Sequence, residues 1–166
     1  MAVATRTRPT HPFPAAVVAG DLARIRDTLT SDVVLISPIT SRFRFEGRDQ
    51  VEELFSVVLE TFQDIEVFEE FGSGDRRVVA WRAHVGKQRV EGTDILHLDE
   101  QGKVRELRLF IRPLPGLATA TATLGPRLAR RRSRLRGAAV AAIARPMAFM
   151  IRGGEGIAPR LVRPGS

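Results

Sequence analysis

The apolar residues of this chain change period once, and that change restricts the fold more than any other feature. Up to Phe62 they recur mainly at helical spacing; from Ile65 to Arg112 they alternate. Pro12 opens a predicted short helix interrupted at Gly20. Asp21 caps a second one, with Val18, Leu22, Ile25 and Leu29 at helical spacing. Asp32–Ser37 (DVVLIS) reads as a buried strand stopped by Pro38, and Phe43–Glu46 as a brief strand before Gly47 turns the chain. The next helix places Val51, Leu54, Phe55, Val58, Leu59 and Phe62 on one face, with Glu52, Glu53 and Glu60 away from it. Four strands follow, at Ile65–Phe71, Arg77–Val85, Arg89–Leu98 and Lys103–Arg112, joined by the turn-like strings GSGD, GKQ and DEQG. Helices first and an antiparallel meander second define an α+β chain.

Charge divides the chain differently. Residues 113–166 hold ten arginines against one acid, Glu155, for a net +9, whereas residues 1–112 carry −2. A near-neutral body thus precedes a basic extension. The predicted organisation is a mobile leader over 1–11, a body over 12–115 and an Arg-rich, helical tail over 116–166. Within the tail, breaks are expected at Pro126 and Pro146. At 166 residues and 43 % apolar composition the chain can bury one core. It has no cysteine, which excludes disulfides, thiolate nucleophiles and thiolate metal sites and suits a reducing, cytoplasmic setting. It has no tyrosine either, so no phenol can donate a proton. His11, His84 and His97 share no short spacing; neither a metal nor a cofactor is expected. The N-terminal string is too broken by Pro and Arg for a signal peptide, and no run of apolar residues is long enough to span a bilayer.

Three strings, FPAAVVAGDLARI at 13–25, VVLISPI at 33–39 and EGTDILHLDEQGKVRELRLFI at 91–111, resemble the nuclear-transport-factor-2-like superfamily. The resemblance is to its SnoaL-like and ketosteroid-isomerase-like members, and it covers the body alone. It implies a cone, in which a curved antiparallel sheet wraps about three helices around an apolar pocket. The isomerase-like members carry a Tyr where this chain has Phe13 and an Asp general base where it has Ser37, before Pro38. They also carry a protonated Asp at the position of Asp94, which this chain retains. Limonene-epoxide-hydrolase-like members place an Arg at the position of Gly92 and a second Asp near Leu109 or Arg112; both are missing here. SnoaL-like cyclases tend to end the last strand with an acid, where this chain reads Phe110-Ile111-Arg112.

The catalytic set is therefore depleted, and Asp94 is the residue to follow. Strand alternation puts it on one face with Val90, Gly92, Leu96 and Leu98, an apolar setting that raises a carboxyl pKa. Three roles stand open: a polar group contacting ligand, a catalytic acid/base, or a structural ion pair with Arg82 or Arg112. The expected pocket comprises Phe13, Ser37, Phe55, Phe62, Trp81 and Asp94, although Ser37 before Pro38 also suits a strand-end cap and the aromatics also suit plain core. His84 and His97 are assigned to surface or packing roles.

The function these residues imply is binding of a small apolar or carbonyl-bearing molecule. The alternative is weak cyclase, isomerase or dehydratase chemistry through Asp94. A homodimer is expected through an apolar strand face, either Thr93, Ile95 and His97 or Leu107, Leu109 and Ile111. The tail has three readings. It packs on the cone or a partner subunit, it lies peripherally on an anionic membrane, or, least favoured, it binds nucleic acid. The last two would act through Arg127, Arg130, Arg131, Arg132, Arg134 and Arg136, and the membrane reading rests on a stripe of Leu117, Leu124, Leu128 and Leu135.

Overall fold

The computed structural model describes residues 8–42 and 44–155. Its elements run α1 (Pro12–Ala19), α2 (Leu22–Asp27), β1 (Leu29–Ile36), β2 (Phe45–Glu46), α3 (Arg48–Thr61), β3 (Phe62–Ser73), β4 (Arg76–Val85), β5 (Gln88–Leu98), β6 (Val104–Arg112), α4 (Leu114–Arg132) and α5 (Arg134–Glu155). The six strands form one open sheet in the order β2-β1-β6-β5-β4-β3. The meander β3 to β6 is antiparallel throughout, while β1 joins β6 in parallel.

Local chemistry accounts for the boundaries. His11 caps α1: its Nδ1 accepts from the Phe13 amide at 3.2 Å, which leaves Nε2 protonated to donate to the Gly102 carbonyl at 3.0 Å. Thr10 donates from its backbone amide and its hydroxyl to Glu70. The end of the expected leader is therefore tied to the sheet, and its residues 1–7 lie outside the described residues. Asp21 caps α2 through the Arg24 amide, as its place in the sequence predicts. Leu29, expected on the helix, instead begins β1, because the Thr28 hydroxyl turns back onto the Ile25 carbonyl and ends α2 there. Likewise Phe62 leaves the face of α3 to open β3, and Val57 is buried with Val51, Leu54 and Phe55. Of the expected Phe43–Glu46 strand, Phe45–Glu46 is formed and Phe43 lies outside the described residues.

Two register shifts interrupt the pairing of β3 with β4, the first at Asp64, whose φ of 53° marks a bulge. The main core lies between the concave face of the sheet and α1 to α3. It contains Phe13, Ile25, Leu29, Val33, Leu35, Val51, Leu96, Val104 and Leu107. Burying a Val, Leu, Ile or Phe side chain fully contributes about 1.5–3 kcal/mol, so this cluster dominates the stabilisation of the cone. Leu107 is buried, and Leu109 and Ile111 point to the same concave side, so the second of the two expected dimer faces is interior. Alternation separates two faces without saying which one is covered.

Neither Pro126 nor Pro146 breaks its helix; both lie inside, and the break falls at Ser133. Ser133 leaves helical geometry with φ −166° and ψ 152°, and its Oγ accepts from the Arg136 amide to start α5. A proline removes one hydrogen bond from a helix, and here the packing of α4 against α5 and the cone holds the helices through that loss.

Candidate functional site

The open end of the cone encloses a cavity of about 560 Å³ between the sheet, α1, α3 and α4. All six residues expected at the pocket line it: Phe13, Ser37, Phe55, Phe62, Trp81 and Asp94. α1 supplies Phe13, whose ring meets that of Phe55 from α3 edge-on at 5.4 Å. β1 ends at Ile36, so the next residue, Ser37, stands at the rim, where its Oγ accepts from the Ile39 amide at 3.2 Å. That bond is the strand-end cap that a Ser before Pro suggests, and among the described residues no basic side chain hydrogen-bonds to Ser37.

The polar centre of the wall is built by three residues on β4 and β5. Trp81 pairs directly across the ladder with Gly92, two residues before Asp94. A Cβ at position 92 would overlap the benzo ring of Trp81, so the indole lies in the space that the missing side chain leaves. From there its Nε1 donates to Asp94 Oδ1 at 2.9 Å. The residue standing where epoxide-hydrolase-like members carry an arginine is thus the seat of an indole. On its other side Trp81 meets Phe62 edge-on at 5.9 Å, which holds the ring in place.

Asp94 has neither of the cations considered as partners. Arg82 pairs with Glu66 at 2.8 Å, and Arg112 lies 3.6 Å from Glu91. Removal from water, opposed only by the Trp81 hydrogen bond, pushes the Asp94 carboxyl up to about 7. Near neutral pH the group is therefore present both as an acid that can donate and as a carboxylate. The other acid on the cavity wall, Glu53, is held by Arg132 at 2.9 Å. No histidine lines the cavity among the described residues. His84 lies 3.5 Å from Asp64 and His97 3.9 Å from Glu106, each away from the cavity.

Of the readings open for the tail, α4 follows the first: it packs on the cone and roofs the cavity. Leu117, Leu124 and Leu128 of α4 face into the cavity, with Ala120 buried against the sheet. Leu135, the fourth member of the expected stripe, lies on α5 and is 84 % exposed. Arginines of α4 fasten the roof to α3. Arg127 donates to the Thr61 hydroxyl at 3.0 Å, Arg131 reaches Glu60 at 3.5 Å, and Arg132 holds Glu53. The helical spacing of Leu117, Leu124 and Leu128, seven residues and then four, was the available signal, but it marks an apolar stripe without naming what covers it.

An open, curved sheet wrapped on helices around a mostly apolar cavity is the architecture of the nuclear-transport-factor-2-like cone proteins. The SnoaL-like domain profile matches residues 11–107, and the chain belongs to that family. A protein of Silicibacter pomeroyi with a cystatin-like fold superposes with a TM-score of 0.66 at 24 % identity, over 71 % of this chain and 86 % of its own. A steroid delta-isomerase from Pseudomonas aeruginosa gives 0.64 at 26 % identity, over 76 % and 99 %. An epoxide hydrolase/cyclase-like enzyme of pyran-ring formation in salinomycin gives 0.50 at 21 %, over 60 % and 84 %. No curated protein matches the chain. No helix among the described residues is long and apolar enough to cross a membrane.

Proposed function

We propose that this chain binds a small, mostly apolar molecule carrying a carbonyl or other hydrogen-bond acceptor, which Asp94 recognises from the cavity wall. The observation that carries the reading is the Trp81–Asp94 pair. The indole occupies one carboxyl oxygen as donor, so a protonated Asp94 has its O–H left for a ligand acceptor. Around it, Phe13, Phe55, Phe62 and the α4 leucines supply the apolar enclosure typical of small-molecule sites. The substitution of Phe13 and Ser37 at the positions where isomerase-like relatives place Tyr and Asp favours binding over turnover.

Trp81 is the single tryptophan of the chain and lines the cavity, so its emission reports occupancy. Titration with a panel of cyclic ketones is expected to change that emission. Affinity is expected to fall up to about tenfold per pH unit above pH 7, as the protonated fraction of Asp94 falls. Asp94→Asn, whose amide can still donate, is expected to bind without that dependence. Unchanged emission with every ketone would overturn the proposal.

A second reading is supported by the likeness to the steroid delta-isomerase and by a carboxyl whose pKa lies near neutrality. Asp94 would then act alone as acid/base on a reactive substrate, and one such group is worth about 10²–10⁴ in rate. Turnover of enolisable ketones or epoxides at high protein concentration, lost in Asp94→Asn, would establish this reading over simple binding.

A further inference from the structure

α5 stacks on the outer side of α4 through small residues. Gly137, Ala144 and Ala148 are buried at the contact, and a Cβ on Gly137 would overlap the Arg130 side chain. The remaining surface of α5 is uncovered and largely apolar, with the exposed Arg136 within it near the start of the helix. Ile143 is 73 % exposed, Phe149 71 % and Met150 68 %, with Leu135 and Met147 beside them. At 100° per residue these side chains fill one broad sector of the helix. Arg134, Arg145 and Arg152, spaced by eleven and seven residues, form a single row along its edge. Arg145 and Arg152 of that row line a groove between the two helices, together with Thr119, Thr123, Arg127, Arg130, Phe149 and Met150. The acids Glu53 and Glu60 nearest α4 are already engaged by Arg127, Arg131 and Arg132. The one acid of α5 is Glu155, at its end.

We propose that the α4–α5 hairpin docks on an anionic phospholipid bilayer, with the arginine groove facing phosphate head groups and the Ile143–Phe149–Met150 sector in the acyl boundary. Charge complementarity selects the occupant. The extension of net +9 lacks the acids that would neutralise the same arginines of a second copy, whereas an anionic leaflet attracts them. The apolar sector supplies the part of the binding that charge alone does not. This inference is independent of what occupies the cavity.

The test is flotation of the full chain with two kinds of vesicle, one of phosphatidylcholine alone and one of phosphatidylcholine and phosphatidylserine in equal parts. Binding is expected to the mixed vesicles only, and to be lost at high salt. Phe149→Ser combined with Met150→Ser is expected to abolish it at unchanged melting temperature. Arg145→Ala and Arg152→Ala are each expected to weaken it about fivefold, the equivalent of about 1 kcal/mol per arginine. Equal binding to both vesicles, or none to either, would overturn the proposal. So would inorganic phosphate raising the melting temperature without any flotation, which would mark a site for soluble phosphate. A dimer by light scattering that becomes monomeric in Ile143→Ser would assign the face to a second copy and equally overturn it.

Discussion

Asp94 links the cavity to stability through one proton. Its folded value near 7 stands above the ordinary 3.8, so between those values the folded state holds a proton that the unfolded chain has lost. Stability therefore falls as pH rises through that window and levels off above about 7, by up to about 4 kcal/mol in total. Asp94→Asn keeps an acceptor for the Trp81 indole and removes the titration. Urea denaturation of both proteins from pH 4 to pH 8 is expected to show the variant gaining on the wild type steadily across the window. Parallel curves would mean that the carboxyl is solvated. That Asp94 sits on an apolar strand face is legible in the alternation around it. That its partner is an indole, and not Arg82 or Arg112, is not legible there, because the partner lies on the neighbouring strand and reaches it only through the gap at Gly92.

At the scale of elements, α4 is a wall of the cavity, and α5 is attached to that wall. Ala120 and Leu124 belong to the second core cluster with Phe62, Ala83, Val85 and Val90, so α4 buries apolar surface that β3, β4 and β5 cannot cover alone. Truncation after Pro115 is expected to cost about 3 kcal/mol or more, from the loss of several Leu and Ala contacts, and to produce aggregation without any lipid. Truncation after Ser133 leaves the roof in place and is expected to change stability by less than about 1 kcal/mol, since α5 packs on α4. Thermal melts and light scattering of the two truncations measure the contrast. A soluble, unchanged protein ending at Pro115 would show that α4 contributes nothing to the cone.

The whole molecule is a gradient of cohesion that runs from the core outward. The cone is held by long-range strand pairing and by large, fully buried side chains. α4 is held by a mixture of apolar contact and arginine pairs to α3, most of them half exposed, each worth at most about 1 kcal/mol. α5 is held by glycine and alanine, which bury little area per residue. Native-state hydrogen exchange is expected to follow this order, with α5 amides the fastest, α4 intermediate, and β5 and β6 the slowest, near the global unfolding limit. Exchange of α5 as slow as that of β5 would show that the hairpin and cone open as one unit.

By itself the sequence determined the elements of the cone and the face on which Asp94 lies. Period and turn chemistry are local, and a strand such as Gln88–Leu98 shows its two sides in its own alternation. Three decisions belonged to the tertiary structure. Leu107, Leu109 and Ile111 form an apolar row that could be covered by a subunit or by the molecule's own helices, and only the direction of sheet curvature put them inside. The stripe of Leu117, Leu124 and Leu128 is as apolar toward a cavity as toward lipid, so its destination depended on where α4 docked. The prolines at 126 and 146 stay within helices because packing against neighbouring elements outweighs one lost hydrogen bond. In each case the sequence specifies that a surface must be covered, and hydrophobic burial is non-directional, so only the assembled fold says by what.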